Sequence, residues 1–317
     1  MGITYGKGIL VAHRSSISHL PQKSSQHLDI SYTKYSNYAP NFGIGLNYIN
    51  SGNQTYIGNI GGIYGFTKML LTPKDSTLKF KLGIGTAYVE KIYDPIKNNK
   101  NIAIGTHWNA NVVLQIEKEI AIKKQHFLHL GFSITHFSNG AFKNPNLGLN
   151  FVSFALGYSY FKNKKTVFVP KENDKQMKWS INIAWKTGFR ENYEYQERKY
   201  PFHSLSIFAN NQKNNKKNYL FGIDFFYNPS VQFFNSATSP LQIGSFIGKE
   251  WSLNKLLLEI DLGTYLFDQY KSDGFIYQRL AINYNITKNI KTSISLKLHR
   301  LSVAQVLQLG IAYQIKK

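Results

Sequence analysis

The chain contains no cysteine, which excludes a disulfide framework and leaves the redox compartment open. It has no uninterrupted apolar run of about 18 residues, so a membrane-spanning helix is not expected. Its opening, MGITYGKGIL, lacks a charged segment followed by an apolar core, the pattern of a secretory signal. A secreted protein with this start is expected to be one whose signal has been removed. Negative charge is scarce too: 17 Asp and Glu stand against 38 Lys and Arg, for a net charge of +21. Such an excess implies an anionic partner, either nucleic acid, a phosphate-bearing lipid surface, or a porin-like lumen. The lysines are spread along the chain and no nucleic-acid-binding motif occurs, so nucleic acid is set aside.

What is abundant points to strands. Tyr (21), Phe (22) and Gly (24) are plentiful, and 43% of residues are hydrophobic, a composition suited to many strands rather than long helices. In residues 126–138, Leu128, Leu130, Phe132 and Ile134 alternate with His129, Gly131, Ser133 and Thr135. The same period of two recurs over 78–88 and 256–266, and it marks half-buried strands. About sixteen such runs can be traced, many of the nine to eleven residues that a strand needs to cross a bilayer. Connections also alternate between longer polar segments, such as YDPIKNNKN and SNGAFKNPNLG, and tight ones, such as SLNK and ITKN. Tyr158, Tyr160, Trp179 and Tyr313 fall near strand ends, where interfacial aromatic girdles form. The expected fold is an all-β transmembrane antiparallel barrel; the plainer alternative is a large soluble β-sandwich.

KFKLGIGTAY in the first half resembles LLEIDLGTYL in the second, a weak internal repeat. Residues 1–163 and 177–317 would each supply eight strands, joined by a charged periplasmic connector at 164–176. One sixteen-stranded barrel is favoured over two eight-stranded barrels in tandem, because a single closed wall removes all edges at once.

The stretch THFSNGAFKNPNLGLN, residues 135–150, concentrates polar chemistry at the end of an apolar strand. His136 and Ser138 are two apart and share the face of Leu130, Phe132 and Ile134, while Asn150 leads into the apolar face of the next strand. Polar groups on a lipid-facing surface are costly unless used or placed at the headgroup boundary. A serine nucleophile with a histidine base is the functional reading; a polar interfacial rim is the plainer one.

The run His136-Phe-Ser138-Asn139-Gly140, followed by Asn144-Pro145-Asn146-Leu-Gly148, resembles the signature of the lipid A 3-O-deacylases (PagL type). These are eight-stranded outer-membrane barrels that hydrolyse an ester-linked acyl chain of lipid A, and the resemblance spans residues 1–163. It implies a bacterial outer-membrane hydrolase with no metal or other cofactor, acting on lipid A, lipopolysaccharide or a related outer-leaflet glycolipid. By the same resemblance Ser138 is the nucleophile, His136 the base, Asn146 an oxyanion donor with backbone amides near Gly140 and Ala141, and Asn139 a supporting residue. Where the family has a glutamate to orient the histidine, this chain has Asn150. An amide can fix the ring but cannot offset an imidazolium, so Asp94 or Glu191 is a possible replacement acid.

The second half is expected to be chemically silent: His299 has lumen parity and Ser302 lies three residues on, not two. Arg14, Lys23, Lys97, Lys100 and Lys143 fall in expected outer loops, where they could hold lipid phosphates. The main rival is a catalytically impaired barrel serving as a pore, a scaffold or an envelope-complex subunit.

Overall fold

The computed structural model describes residues 1–34, 40–72, 75–162, 178–191, 198–214, 217–233, 235–253, 255–300 and 303–316. The expected connector at 164–176 lies outside them. The chain divides into two compact units. The first holds β1 (Gly2–Leu10), β2 (Ser25–Lys34), β3 (Asn41–Asn50), β4 (Asn59–Leu70), β5 (Leu78–Val89), β6 (Trp108–Lys123), β7 (His126–Ser138) and β8 (Leu149–Tyr160). The second holds β9 (Lys178–Arg190), β10 (Tyr200–Asn214), β11 (Lys217–Tyr227), β12 (Leu241–Leu253), β13 (Leu256–Phe267), β14 (Ile276–Asn285), β15 (Ile290–His299) and β16 (Val303–Lys316).

Each set of eight strands closes on itself, so the favoured single barrel of sixteen strands is corrected to two eight-stranded barrels. β8 returns to β1 in an antiparallel register running from Gly2↔Ser159 to Leu10↔Phe151. β16 returns to β9, with Leu307 opposite Phe189. Alternation reports which face a residue takes and is silent about how many strands precede closure; the lumen contents decide that. Eight strands leave an interior just wide enough for side chains to fill.

Ion pairs that reach across the wall require that narrow bore. Lys81 on β5 pairs with Asp29 on β2 at 3.3 Å, and Arg279 on β14 pairs with Asp224 on β11 at 3.1 Å, each linking strands three apart. Lys68–Glu117 and Lys79–Glu119, both at 2.6 Å, add to the first lumen, and Arg279–Asp261 at 2.7 Å adds to the second. Buried charges persist because they are paired. Glycine makes room for the large rings: a Cβ on Gly263 would lie 2.2 Å from Cζ of Tyr277, which is fully buried in the second barrel.

The outer faces are the reverse. Ile44, Leu46, Leu130, Phe132, Phe154 and Leu156 are exposed on the first barrel, and Phe221, Ile223, Ile260, Leu262, Leu309 and Ile311 on the second. Apolar exposure on this scale marks a surface meant for an apolar environment. Among the described residues no helix is long and apolar enough to cross a membrane.

At one end of the first barrel the longer connections pack into an apolar cluster. Leu10, Ile17, Leu20, Ile57, Val89, Ile104, Phe137, Leu149 and Phe151 are all buried there. Asparagine side chains knit the chain around it: Asn53 Nδ2 donates to the Leu20 carbonyl (2.8 Å), and Asn98 and Asn101 both donate to the Tyr56 carbonyl (2.9 Å). These bonds satisfy buried loop carbonyls that no strand partner reaches.

Candidate active site

The polar stretch closes this packed end. Phe137, Leu149 and Phe151 are fully buried in the apolar cluster, and the pleat turns their neighbours the other way. His136, Ser138 and Asn150 therefore emerge on the outer face, in line with exposed Leu130, Phe132 and Ile134. His136 and Asn150 are direct cross-strand partners of β7 and β8. Burying the residues between them fixes the backbone on which the polar side chains stand.

Two residues along a strand span roughly 7 Å between Cα atoms, so the imidazole must lean along β7 to reach the serine. It does so: the Ser138 hydroxyl donates to His136 Nε2 over 3.0 Å. On the other side of the ring, Nδ1–H donates to Asn150 Oδ1 over 2.7 Å. A hydroxyl, an imidazole and an acceptor amide thus stand in sequence, an arrangement of the kind that can activate a serine. Ser138 is buried, while His136 and Asn150 are half-buried.

The loop between β7 and β8 is shaped around the ring. Gly148 has φ +82°, and a Cβ there would lie 2.8 Å from His136 Cε1, so this position needs glycine for both conformation and space. Gly140 and Ala141 both have φ +65°. For Ala141 that left-handed conformation costs about 1–2 kcal/mol, strain of the kind that collects at functional loops. Asn146 Oδ1 accepts the Asn139 backbone N–H at 3.0 Å, which ties the two ends of the loop together and leaves the Nδ2 end of Asn146 as its donor.

The family model of lipid A 3-O-deacylase (PagL) matches residues 26–159, and that of the acyloxyacyl hydrolase C-terminal domain matches residues 177–317. The chain belongs to the PagL family. No curated protein matches this PagL-family chain. Among solved structures, the KdgM porin is 7% identical over 99% of this chain and 98% of its own, with a TM-score of 0.23. A mutant of the Rhodopseudomonas blastica porin is 10% identical over 99% of both chains, with a TM-score of 0.24. At such TM-scores neither similarity bears on the fold or the chemistry of the PagL-family chain.

Each of the two candidate replacement acids has partners of its own. Asp94 turns back on its own loop, accepting the backbone N–H groups of Lys97 (2.7 Å) and Ile96 (2.8 Å). Those two bonds, the one from Lys97 foremost, hold its carboxyl below the usual carboxylate range. Glu191 pairs with Lys199 at 2.6 Å. The acceptor on His136 Nδ1 is Asn150, and among the described residues no carboxylate contacts His136. In the second barrel, His299 lies 3.8 Å from Asp273, and Ser302 is outside the described residues.

One neighbour of the site was not anticipated. His13, in the connection after β1, receives a hydrogen bond from Asn150 Nδ2 at its Nδ1, over 3.0 Å. The closed eight-stranded wall explains it. β1 lies beside β8, and the ladder continues past Leu10 as the Val11 N–H donates to the Asn150 carbonyl at 2.8 Å. In a sixteen-stranded barrel β1 and β8 are not neighbours, so that expectation hid His13. Recognising an eight-strand closure from the sequence would have been the signal.

Proposed function

We propose that this protein is an outer-membrane esterase that removes an ester-linked acyl chain from lipid A or a related glycolipid. The Ser138–His136 contact on the apolar outer face, in a chain of the PagL family, carries the reading. A site facing outward from a barrel wall meets its substrate in the bilayer leaflet rather than in the lumen.

Ser138 Oγ attacks the ester carbonyl carbon as His136 Nε2 takes its proton. The resulting oxyanion is held by the Asn146 amide and by backbone N–H groups of the strained Gly140–Ala141 turn. Collapse breaks the bond to the sugar oxygen, which leaves as an alcohol with the proton from His136. Water, deprotonated by the same ring, then attacks the acyl-serine, releasing the fatty acid and restoring Ser138. Asn150 keeps Nδ1 protonated so that Nε2 is free to act as base. Arg14, Lys23, Lys97, Lys100 and Lys143 supply cations for lipid phosphates.

The neutral Asn150 favours one rival, a PagL-family barrel with weakened activity that serves as a scaffold. Release of free fatty acid from purified lipopolysaccharide by the protein in detergent tests the choice. Release that disappears in Ser138→Ala supports the esterase; release that survives the substitution removes Ser138 as nucleophile, and none from wild type favours the scaffold.

A further inference from the structure

An asparagine in the orienting position has a problem that a carboxylate does not: it is two-faced. If its oxygen meets His136 Nδ1, the ring carries its proton there and Nε2 is a base. If the amide turns over, its N–H₂ meets Nδ1, which must then accept. The proton moves to Nε2, and the ring can only donate to Ser138. The two states differ by a rotation of one side-chain torsion, and one of them is inert.

His13 removes this ambiguity. Its Nδ1 lies 3.0 Å from Asn150 Nδ2, while Asn150 Oδ1 lies 2.7 Å from His136 Nδ1. With its own ring proton on Nε2, His13 accepts at Nδ1 and does not donate there, so it binds the amide only by its N–H₂ end. The oxygen is thereby turned to His136. We infer that His13 is a positioning residue that sets the amide orientation of Asn150 and, through it, the tautomer of His136. The order is Ser138, His136, Asn150, His13, with every hydrogen bond donated in the same direction along it.

The placement of His13 is built rather than incidental. The Val11 N–H bonds to the Asn150 carbonyl at 2.8 Å, which holds the chain two residues before His13 against β8. On its other side a 3-10 turn, Ser15–Ile17, anchors the connection through buried Ile17 and, beyond it, buried Leu20. His13 itself is exposed, so replacing it removes a hydrogen bond and little packing.

This inference rests on the esterase reading for its purpose and on geometry alone for its physics, so the test reads the ring directly. The full chain in detergent, labelled with nitrogen-15 in histidine, reports the His136 tautomer by NMR. Wild type is expected to show Nδ1–H alone, His13→Ala a mixture of both tautomers, His13→Lys, which can only donate, mainly Nε2–H, and His13→Glu, which can only accept, the wild-type pattern. In parallel, kcat for fatty acid release should fall in His13→Ala by the fraction of His136 that loses its Nδ1–H, with KM unchanged and Glu restoring the rate. An unchanged His136 spectrum in both His13→Ala and His13→Lys overturns the proposal. A tautomer change in a protein that releases no fatty acid supports His13 as the positioning residue and sinks the esterase reading instead.

Discussion

His136 and Asn150 face each other across β7 and β8, and the ring donates its Nδ1–H to the amide oxygen over 2.7 Å. The bond orients the imidazole without lending it charge. A carboxylate in the same place would do both, because it stabilises the imidazolium that forms as Ser138 attacks.

Asn150→Glu is therefore expected to raise kcat for fatty acid release by about ten-fold, well short of the ~10⁴ that a Ser-His-Asp triad loses with asparagine, because that loss comes from a wrong tautomer that Asn150 already avoids. Asn150→Leu, which removes the acceptor, should lower it. Mass spectrometry of lipopolysaccharide incubated with each variant reads both. A lower rate with glutamate would mean that the chain has adapted to the neutral amide, and the charge argument would fail.

The site was legible and its surroundings were not, for one physical reason. Strand alternation placed His136, Ser138 and Asn150 on one outward face, since side-chain period depends only on local pleat. It could not place Asp94 and Glu191, whose partners are set by loops that the pleat does not reach, nor His13, whose neighbour depends on which strands meet at closure. Cross-lumen pairs such as Lys81–Asp29 and Arg279–Asp224 fix that closure, and pairing between residues 52 and 55 apart in the chain leaves no periodic mark. Sixteen strands were visible; their division into two walls was not.

Gly148→Ala should impair hydrolysis without unfolding the barrel. The new methyl would sit 2.8 Å from His136 Cε1 at a backbone φ of +82°, pushing the ring from Ser138. A stability loss of about 1–2 kcal/mol is expected from the left-handed backbone alone, against a loss in kcat on the order of 10²-fold from a displacement of about 1 Å. Urea unfolding and rate measurement on the same preparation separate the two. A variant that keeps full activity would show that His136 does not hold this position during the reaction.

Arg279→Met addresses the second barrel. Arg279 is buried between Asp224 and Asp261, and removing it leaves carboxylates unpaired, at a cost of about 3–5 kcal/mol. Three of the four tryptophans, Trp179, Trp185 and Trp251, lie in that barrel, so the loss should appear as earlier urea unfolding by tryptophan emission. Fatty acid release under native conditions should stay within about two-fold of wild type, because Arg279's partners all lie within the second barrel and residues that share no partners act additively. A collapse of activity with the barrel still folded would assign the second half a role in hydrolysis.

Conductance discriminates the pore from the other readings. Tyr277, Arg279 and Lys297 are all buried inside the second barrel, with Lys297 Nζ 4.6 Å from the centre of the Phe226 ring and 5.0 Å from that of Tyr277. Tyr64, Lys68 and Glu117 are buried in the first. An eight-stranded wall has no bore to spare once such side chains occupy it, and a paired ion buried in that space is held by its partners rather than by water. Reconstituted into planar bilayers, the protein should give no ohmic current steps. Steps of porin size would mean that these lumen side chains move aside in the membrane, and would return the pore to contention over the esterase.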